Sequence, residues 1–163
     1  MNDRRTFLGL AGAALAAGAA SGFSVSAAAA DPAFPVTKSD TAWRQQLTKD
    51  QYAVLRQSAT ERPFTSALLE EHRRGTFTCA GCNQALFLSK TKFDSGTGWP
   101  SFYAPIEHAI GTAGDTSLGM VRNAVHCARC GGHLGHVFDD GPPPTGLRYC
   151  INGVALGFEP QSA

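Results

Sequence analysis

Two C-x-x-C pairs constrain this chain more than any other feature. Cys79 and Cys82 form one pair and Cys127 and Cys130 the other, with 44 residues between them. A tight C-x-x-C turn points two sulfurs at one ion, and two such turns complete a tetrahedron. Four thiolates with no open coordination position make a structural zinc site. Any fold must then bring residues 79–82 and 127–130 together, and the metal would clip its sheets to one another. Both pairs follow strand-like segments, Phe77-Thr78 and Val125-His126, and both carry glycine inside or just after the turn, at Gly81 and Gly131. That setting suits zinc knuckles. Two other readings remain open: disulfides in an oxidising compartment, and a thioredoxin-like redox motif in either pair alone. The expectation carried forward is one structural Zn2+ per chain.

The chain has five cysteines, so one is left over. An even set plus a remainder suggests a free reactive thiol. That cysteine is Cys150, in the run Leu147–Asn152. If the run is a strand, period two puts Arg148, Cys150 and Asn152 on one face and Tyr149 and Ile151 on the other. A guanidinium near a thiol favours the thiolate, which is the nucleophile. The competing reading is an inert buried cysteine. The polar company on its face argues against that. His133 and His136 are three residues apart; in a regular strand they face opposite sides, and in a turn they converge. Beside a reactive thiol, a histidine can exchange protons near neutral pH. Asp139 and Asp140 precede a Gly-Pro run and read as solvated turn residues.

Residues 1–30 are a separate matter. Arg4 and Arg5 precede an Ala/Gly-rich, mildly apolar run that ends in small residues near Ala27–Ala30. That is the pattern of a cleaved twin-arginine export signal, and it predicts a periplasmic protein. A membrane anchor would need more Leu and Ile, so no stable membrane insertion is expected. Beyond it, residues 31–163 carry 12 basic and 12 acidic side chains. A neutral body has no electrostatic footprint for nucleic acid.

The domain boundaries follow: signal 1–30, a Pro-containing linker 31–38, and one domain over 39–163. Ser39 predicts an N-cap for a helix through Trp43, a packing residue, and Asp50 a cap for a second short helix. From Thr76 the pattern becomes β-prone. Strands are predicted at Thr76–Cys79, Ala85–Leu88, near Ile106, at Gly119–Val121, Ala124–His126, Leu147–Ile151 and Val154–Phe158. DSGTGWP at Asp94–Pro100 and GPPP at Gly141–Pro144 are loops. The fold class is mainly β: two antiparallel sheets clipped by zinc in a tent-like arrangement, with short N-terminal helices.

Several stretches together resemble one family, the methionine-R-sulfoxide reductases of type B. They are TERPFT at Thr60–Thr65, CAGC at Cys79–Cys82, KFDSGTGWPSF at Lys92–Phe102, CARC at Cys127–Cys130, HLGHVFDDGP at His133–Pro142 and GLRYCINGVAL at Gly146–Leu156. The resemblance runs from about Trp43 to Phe158. It implies an enzyme that returns the R epimer of methionine sulfoxide in oxidised proteins to methionine. Cys150 would attack the sulfoxide sulfur and become a sulfenic acid. His133 and His136 would hydrogen-bond and protonate the departing oxygen, and Asn152 would help orient it. Trp99 would pack on the substrate methyl, with Phe138 as a further binding residue. Arg148 would lower the thiol pKa. The zinc would sit away from the active site, and a monomer is the expected state. One position departs from many members: Thr97 stands where a second, resolving cysteine precedes Gly-Trp-Pro. With four cysteines in zinc, the sulfenic acid is expected to be reduced by an external, thioredoxin-like donor; the runner-up is a zinc-free fraction in which Cys79, Cys82, Cys127 or Cys130 resolves it. A non-catalytic zinc-ribbon module, or another thiol enzyme, would not need Cys150, His133, His136 and Trp99 together.

Overall fold

A serine and a threonine set the two helices. The structure, a computed structural model, describes residues 34–162. The export signal expected over 1–30 and the first residues of the expected linker lie outside the described residues. Ser39 caps α1 (Asp40–Gln46), its hydroxyl accepting from Ala42 N–H. The second cap is Thr48 rather than Asp50. Thr48 and Gln51 form a reciprocal capping box at the start of α2 (Lys49–Gln57), which satisfies two orphan donors at once. Asp50 falls in the first turn, where its charge suits the positive end of the helix dipole. Trp43, Tyr52, Val54 and Leu55 are buried.

Nine strands follow among the described residues: β1 (Gly75–Cys79), β2 (Ala85–Leu88), β3 (Lys92–Phe93), β4 (Ser101–Phe102), β5 (Ile110–Asp115), β6 (Arg122–Cys127), β7 (His133–Phe138), β8 (Arg148–Ile151) and β9 (Leu156–Pro160). They form two sheets, β2-β1-β9 and β3-β4-β8-β7-β6-β5, and every pairing is antiparallel. The expected fold class is therefore the observed one. Three local expectations shift. Ile106 lies outside any strand, the Gly119–Val121 segment begins as the end of a 3-10 turn, and β5 falls between them. Its sequence, IGTAGD, has little β-propensity. Six consecutive pairs with β6 hold it in the sheet instead, an instance of pairing overriding local preference.

Aromatic rings join the sheets. Phe77 and Phe87 come from the smaller sheet and Phe102 from the larger, and all three are fully buried. Phe102 stacks on Phe87 at 4.3 Å and meets Phe77 edge-on at 4.9 Å between centroids. Offset and edge-on pairs of this kind add to simple area burial. Phe34 and Val36, within the segment read as linker, dock on the second knuckle. The Phe34 ring lies 5.6 Å from that of His126, and Val36 N–H donates to the Arg129 carbonyl.

Candidate active site and metal centre

The two knuckles are built alike. Cys79 ends β1 and Cys127 ends β6. Cys79 N–H donates to the Gln84 carbonyl and Cys127 N–H to that of Gly132. Asn83 and Gly131 occupy matching left-handed positions, at φ 57° and 68°, and each returns its N–H to the first cysteine's carbonyl. Because β1 and β6 belong to different sheets, the cluster bridges them. All four sulfurs lie within 4.8 Å of one another. The close pairs cross between knuckles: Cys79 with Cys130 at 3.7 Å and Cys82 with Cys127 at 3.6 Å. A zinc tetrahedron with Zn–S bonds of about 2.3 Å requires sulfurs about 3.8 Å apart, whereas a disulfide requires about 2.05 Å. The donor set and spacing fit a four-thiolate metal. Without a cation the four thiols compete for charge: hydrogen bonds from Cys130 and Cys79 hold Cys127 low, whereas contacts with Cys127 and Cys130, with burial, push Cys79 up. A bound divalent cation lets all four ionise.

The Cys150 site is a row across three strands. Cys150 on β8 pairs with Ser101 on β4 and with His136 on β7. Directly paired residues point to the same face, so the three side chains share it. Cys150 and His136 line a cavity of about 130 Å³ together with Thr60, Trp99, Arg122, Gly135, Phe138 and Asn152. Gly135 allows β7 and β8 to approach, since a Cβ there would lie 2.0 Å from the Cys150 carbonyl oxygen. Along β6, Cys127 is three residues beyond Ala124, the partner of His136. The metal centre is thus about 10 Å further along the sheet and two strands over.

Five of the expected residues meet here: Cys150, His136, Asn152, Trp99 and Phe138. His133 and Arg148 stand one step back. His133 lines the adjoining cavity together with His136 and Asp115. The two histidines converge because β7 is bulged: His133 pairs with His126 and Gly135 with Val125, leaving Leu134 unpaired. Their ring centroids are 5.4 Å apart. Burial pushes the His133 imidazole down to about 4, so its ring is neutral at physiological pH. Arg148 forms a two-pronged ion pair with Asp140, both bonds 2.8 Å, and covers the Phe138 ring. Burial pushes the Cys150 thiol up, and the Thr97 hydroxyl and Arg148 only partly oppose it. Arg148 acts in the expected direction, but desolvation outweighs it.

Asn152 is 3% exposed. Its carbonyl accepts from Glu61 N–H at 2.9 Å and its amide donates to the Leu134 carbonyl at 2.9 Å. One N–H and one lone pair remain for a ligand.

Three contributors carried no motif signal of their own: Asp115, Arg122 and Glu61. Asp115 accepts from His136 Nε2–H and from Arg122, both at 2.7 Å. Ser117 and His136 hold its carboxyl well below the usual range. Arg122 contributes directly to the cavity wall. Glu61, inside the TERPFT stretch, is a clasp: its carbonyl accepts from the Trp99 indole at 3.1 Å, and its carboxylate accepts from Gly153 and Val154 N–H. It ties the tryptophan to the segment after β8. Thr97 Oγ1 stands 3.9 Å from Cys150 Sγ, so the position read as the resolving-cysteine site is within reach of the thiol.

Comparison with known proteins identifies the family. The SelR domain model matches residues 47–160. This chain belongs to the SelR domain family. Among SelR relatives, a protein named peptide methionine sulfoxide reductase MsrB from Pseudomonas putida is 60% identical over 73% of this chain and 90% of its own length. Proteins of the same name from Bradyrhizobium diazoefficiens and Agrobacterium fabrum are 58% and 56% identical, each over 77% of this chain and over 91% and 93% of their own lengths. The SelR match spans the metal knuckles and every residue of the Cys150 cavity.

Proposed function

We propose that this chain reduces the R epimer of methionine sulfoxide in proteins to methionine, with Cys150 as nucleophile. The family and the names of its relatives support the reaction. One observation carries the site assignment: a single thiol in a small cavity with an apolar wall, Trp99 and Phe138, and a polar side, His136, Arg122 and Asn152. A sulfoxide sulfur bears an apolar methyl and a strongly accepting oxygen. Exchanging the two would bury the oxygen against the indole without a hydrogen bond, so one epimer is favoured.

Cys150 attacks the sulfoxide sulfur. The oxygen ends on the Cys150 sulfur as a sulfenic acid and the thioether, methionine, departs; thiol and sulfoxide thus give sulfenic acid and thioether. His136, held by Asp115, supplies the hydrogen bond and proton that the oxygen needs. His133, behind it, keeps that ring in place. Two equivalents of an external thiol, from a thioredoxin-like donor, then return Cys150 to the thiol and release water. Cys79, Cys82, Cys127 and Cys130 would hold zinc, which when bound supplies a cross-link between the sheets. The Arg4-Arg5 leader supports export by the twin-arginine route to the periplasm. Export of a folded chain would let the four thiols bind metal in the reducing cytoplasm first.

The test uses mixed R and S dabsyl-methionine sulfoxide with dithiothreitol. Only the R epimer should disappear, and Cys150→Ser should abolish its loss. Zinc-loaded wild type that leaves both epimers untouched would sink the proposal.

A further inference from the structure

Three hydroxyls lead away from the Cys150 sulfur. Thr97 Oγ1 is 3.9 Å from Sγ, Ser95 Oγ is 2.8 Å from Thr97 Oγ1, and Ser101 Oγ is 2.7 Å from Ser95 Oγ. Ser101 then donates to the main-chain carbonyl of Trp99 at 3.2 Å. Ser101 is fully buried and pairs with Cys150 across the sheet. The far end of the chain is therefore anchored, and the near end sits on the glycine-rich loop.

Each hydroxyl has one proton to donate. Ser101 commits its proton to the carbonyl, so Ser95 must donate to Ser101. Thr97 must then donate to Ser95. The remaining contact can only be the Cys150 S–H donating to Thr97 Oγ1. One carbonyl thus sets the direction of every bond, and that direction suits a thiol. A thiolate needs the opposite: Ser101 to Ser95, Ser95 to Thr97, Thr97 to sulfur.

We propose that Ser95, Thr97 and Ser101 form a reversible hydroxyl chain whose polarity follows the ionisation state of Cys150. Thr97 touches the reacting sulfur, and the two serines are positioning residues that set which way Thr97 points. The inference rests on Cys150 being the nucleophile. The chain ends on a carbonyl, so it reverses without carrying a proton; the thiol proton leaves through the cavity. The charged and titratable groups facing Cys150 are Arg148 on its own strand with Asp140 behind it, His136 on β7 and Arg122 in the cavity wall. Substitutions in the hydroxyl chain leave all of these in place.

The measurement is carbamidomethylation of Cys150 by iodoacetamide against pH, read on the Cys150 peptide by mass spectrometry in the zinc-loaded protein. Thr97→Val removes the donor to the thiolate and should raise the midpoint by about one pH unit, a roughly tenfold slower reaction on the acid limb. Ser101→Ala has the opposite effect. Ser95 loses its acceptor, turns to Thr97, and frees Thr97 to donate to sulfur, so the midpoint falls. Ser95→Ala, on the loop, should lower it too, and Thr97→Ser should match wild type. Loss of packing alone would not give shifts of opposite sign from the two ends. Thr97→Val and the serine variants moving the midpoint the same way, or not at all, would overturn the proposal. A wild type that alkylates normally but reduces no sulfoxide would refute the sulfoxide reading and leave this test standing.

Discussion

Acidification should weaken this fold through His133. Its ring is 8% exposed, and its Nε2 has no hydrogen-bond partner among the described residues. Burial, reinforced by His136, brings its pKa from 6.5 down to about 4. Between those values the unfolded chain holds a proton that the folded chain excludes, so stability falls as pH drops through that window. Each unit is worth about 1.4 kcal/mol. Near pH 5 the accumulated loss is about 2 kcal/mol, and near pH 7.5 it is close to zero. The assay is urea unfolding of wild type and His133→Gln in zinc-containing buffer at both pH values. The cysteines titrate alike in the two proteins, so the difference isolates His133. The variant should be the less stable protein near pH 7.5, because it buries an amide without a matched partner. That deficit should shrink by about 2 kcal/mol near pH 5. A deficit that stays constant would refute the reasoning, because it would mean that His133 protonates equally in the folded and unfolded states.

Other expectations follow from the same geometry. Thr97→Cys should give an intramolecular disulfide after one turnover without reductant; intact mass would show the variant two hydrogens lighter and wild type one oxygen heavier, and a variant that gains oxygen instead would place residue 97 out of reach of Cys150. Purified protein should contain about one zinc per chain, and Cys127→Ser should lose the metal and unfold, as four-thiolate sites supply folding energy directly; metal analysis and circular dichroism check both, and metal-free folded wild type would contradict the zinc reading. Asp115→Asn should lower kcat/KM for the R sulfoxide about tenfold, the scale of a charge-assisted hydrogen bond, with KM nearly unchanged; unaltered kinetics would remove Asp115 from the account of His136.

Much of the site was legible because its signals are local. C-x-x-C spacing specifies a turn that converges two sulfurs wherever it occurs, and the odd cysteine follows by subtraction. Period two put Arg148 and Cys150 on one face of β8, Asn152 just past the strand reaches the same cavity as Cys150, and Ser39 correctly marked a helix start. What escaped was of two kinds. Strand β5 was missed because IGTAGD has no β signature and owes its conformation to β6. The electrostatic partners were missed because each depends on a distant residue: Asp115 meets His136 across 21 positions, and Glu61 meets Trp99 across 38.

By itself the sequence determined the inventory: four thiols able to bind one ion, a fifth left for chemistry, and a β-prone body to carry them. These depend on residue type and short spacing. Only the tertiary structure decided how they work together. A single unpaired residue, Leu134, turns His133 and His136 toward each other. Pairing of β4 with β8 puts Ser101 beside Cys150. Burial outweighs Arg148 at the thiol. Register and desolvation are properties of the assembled sheet, and no stretch of the chain contains them before it folds.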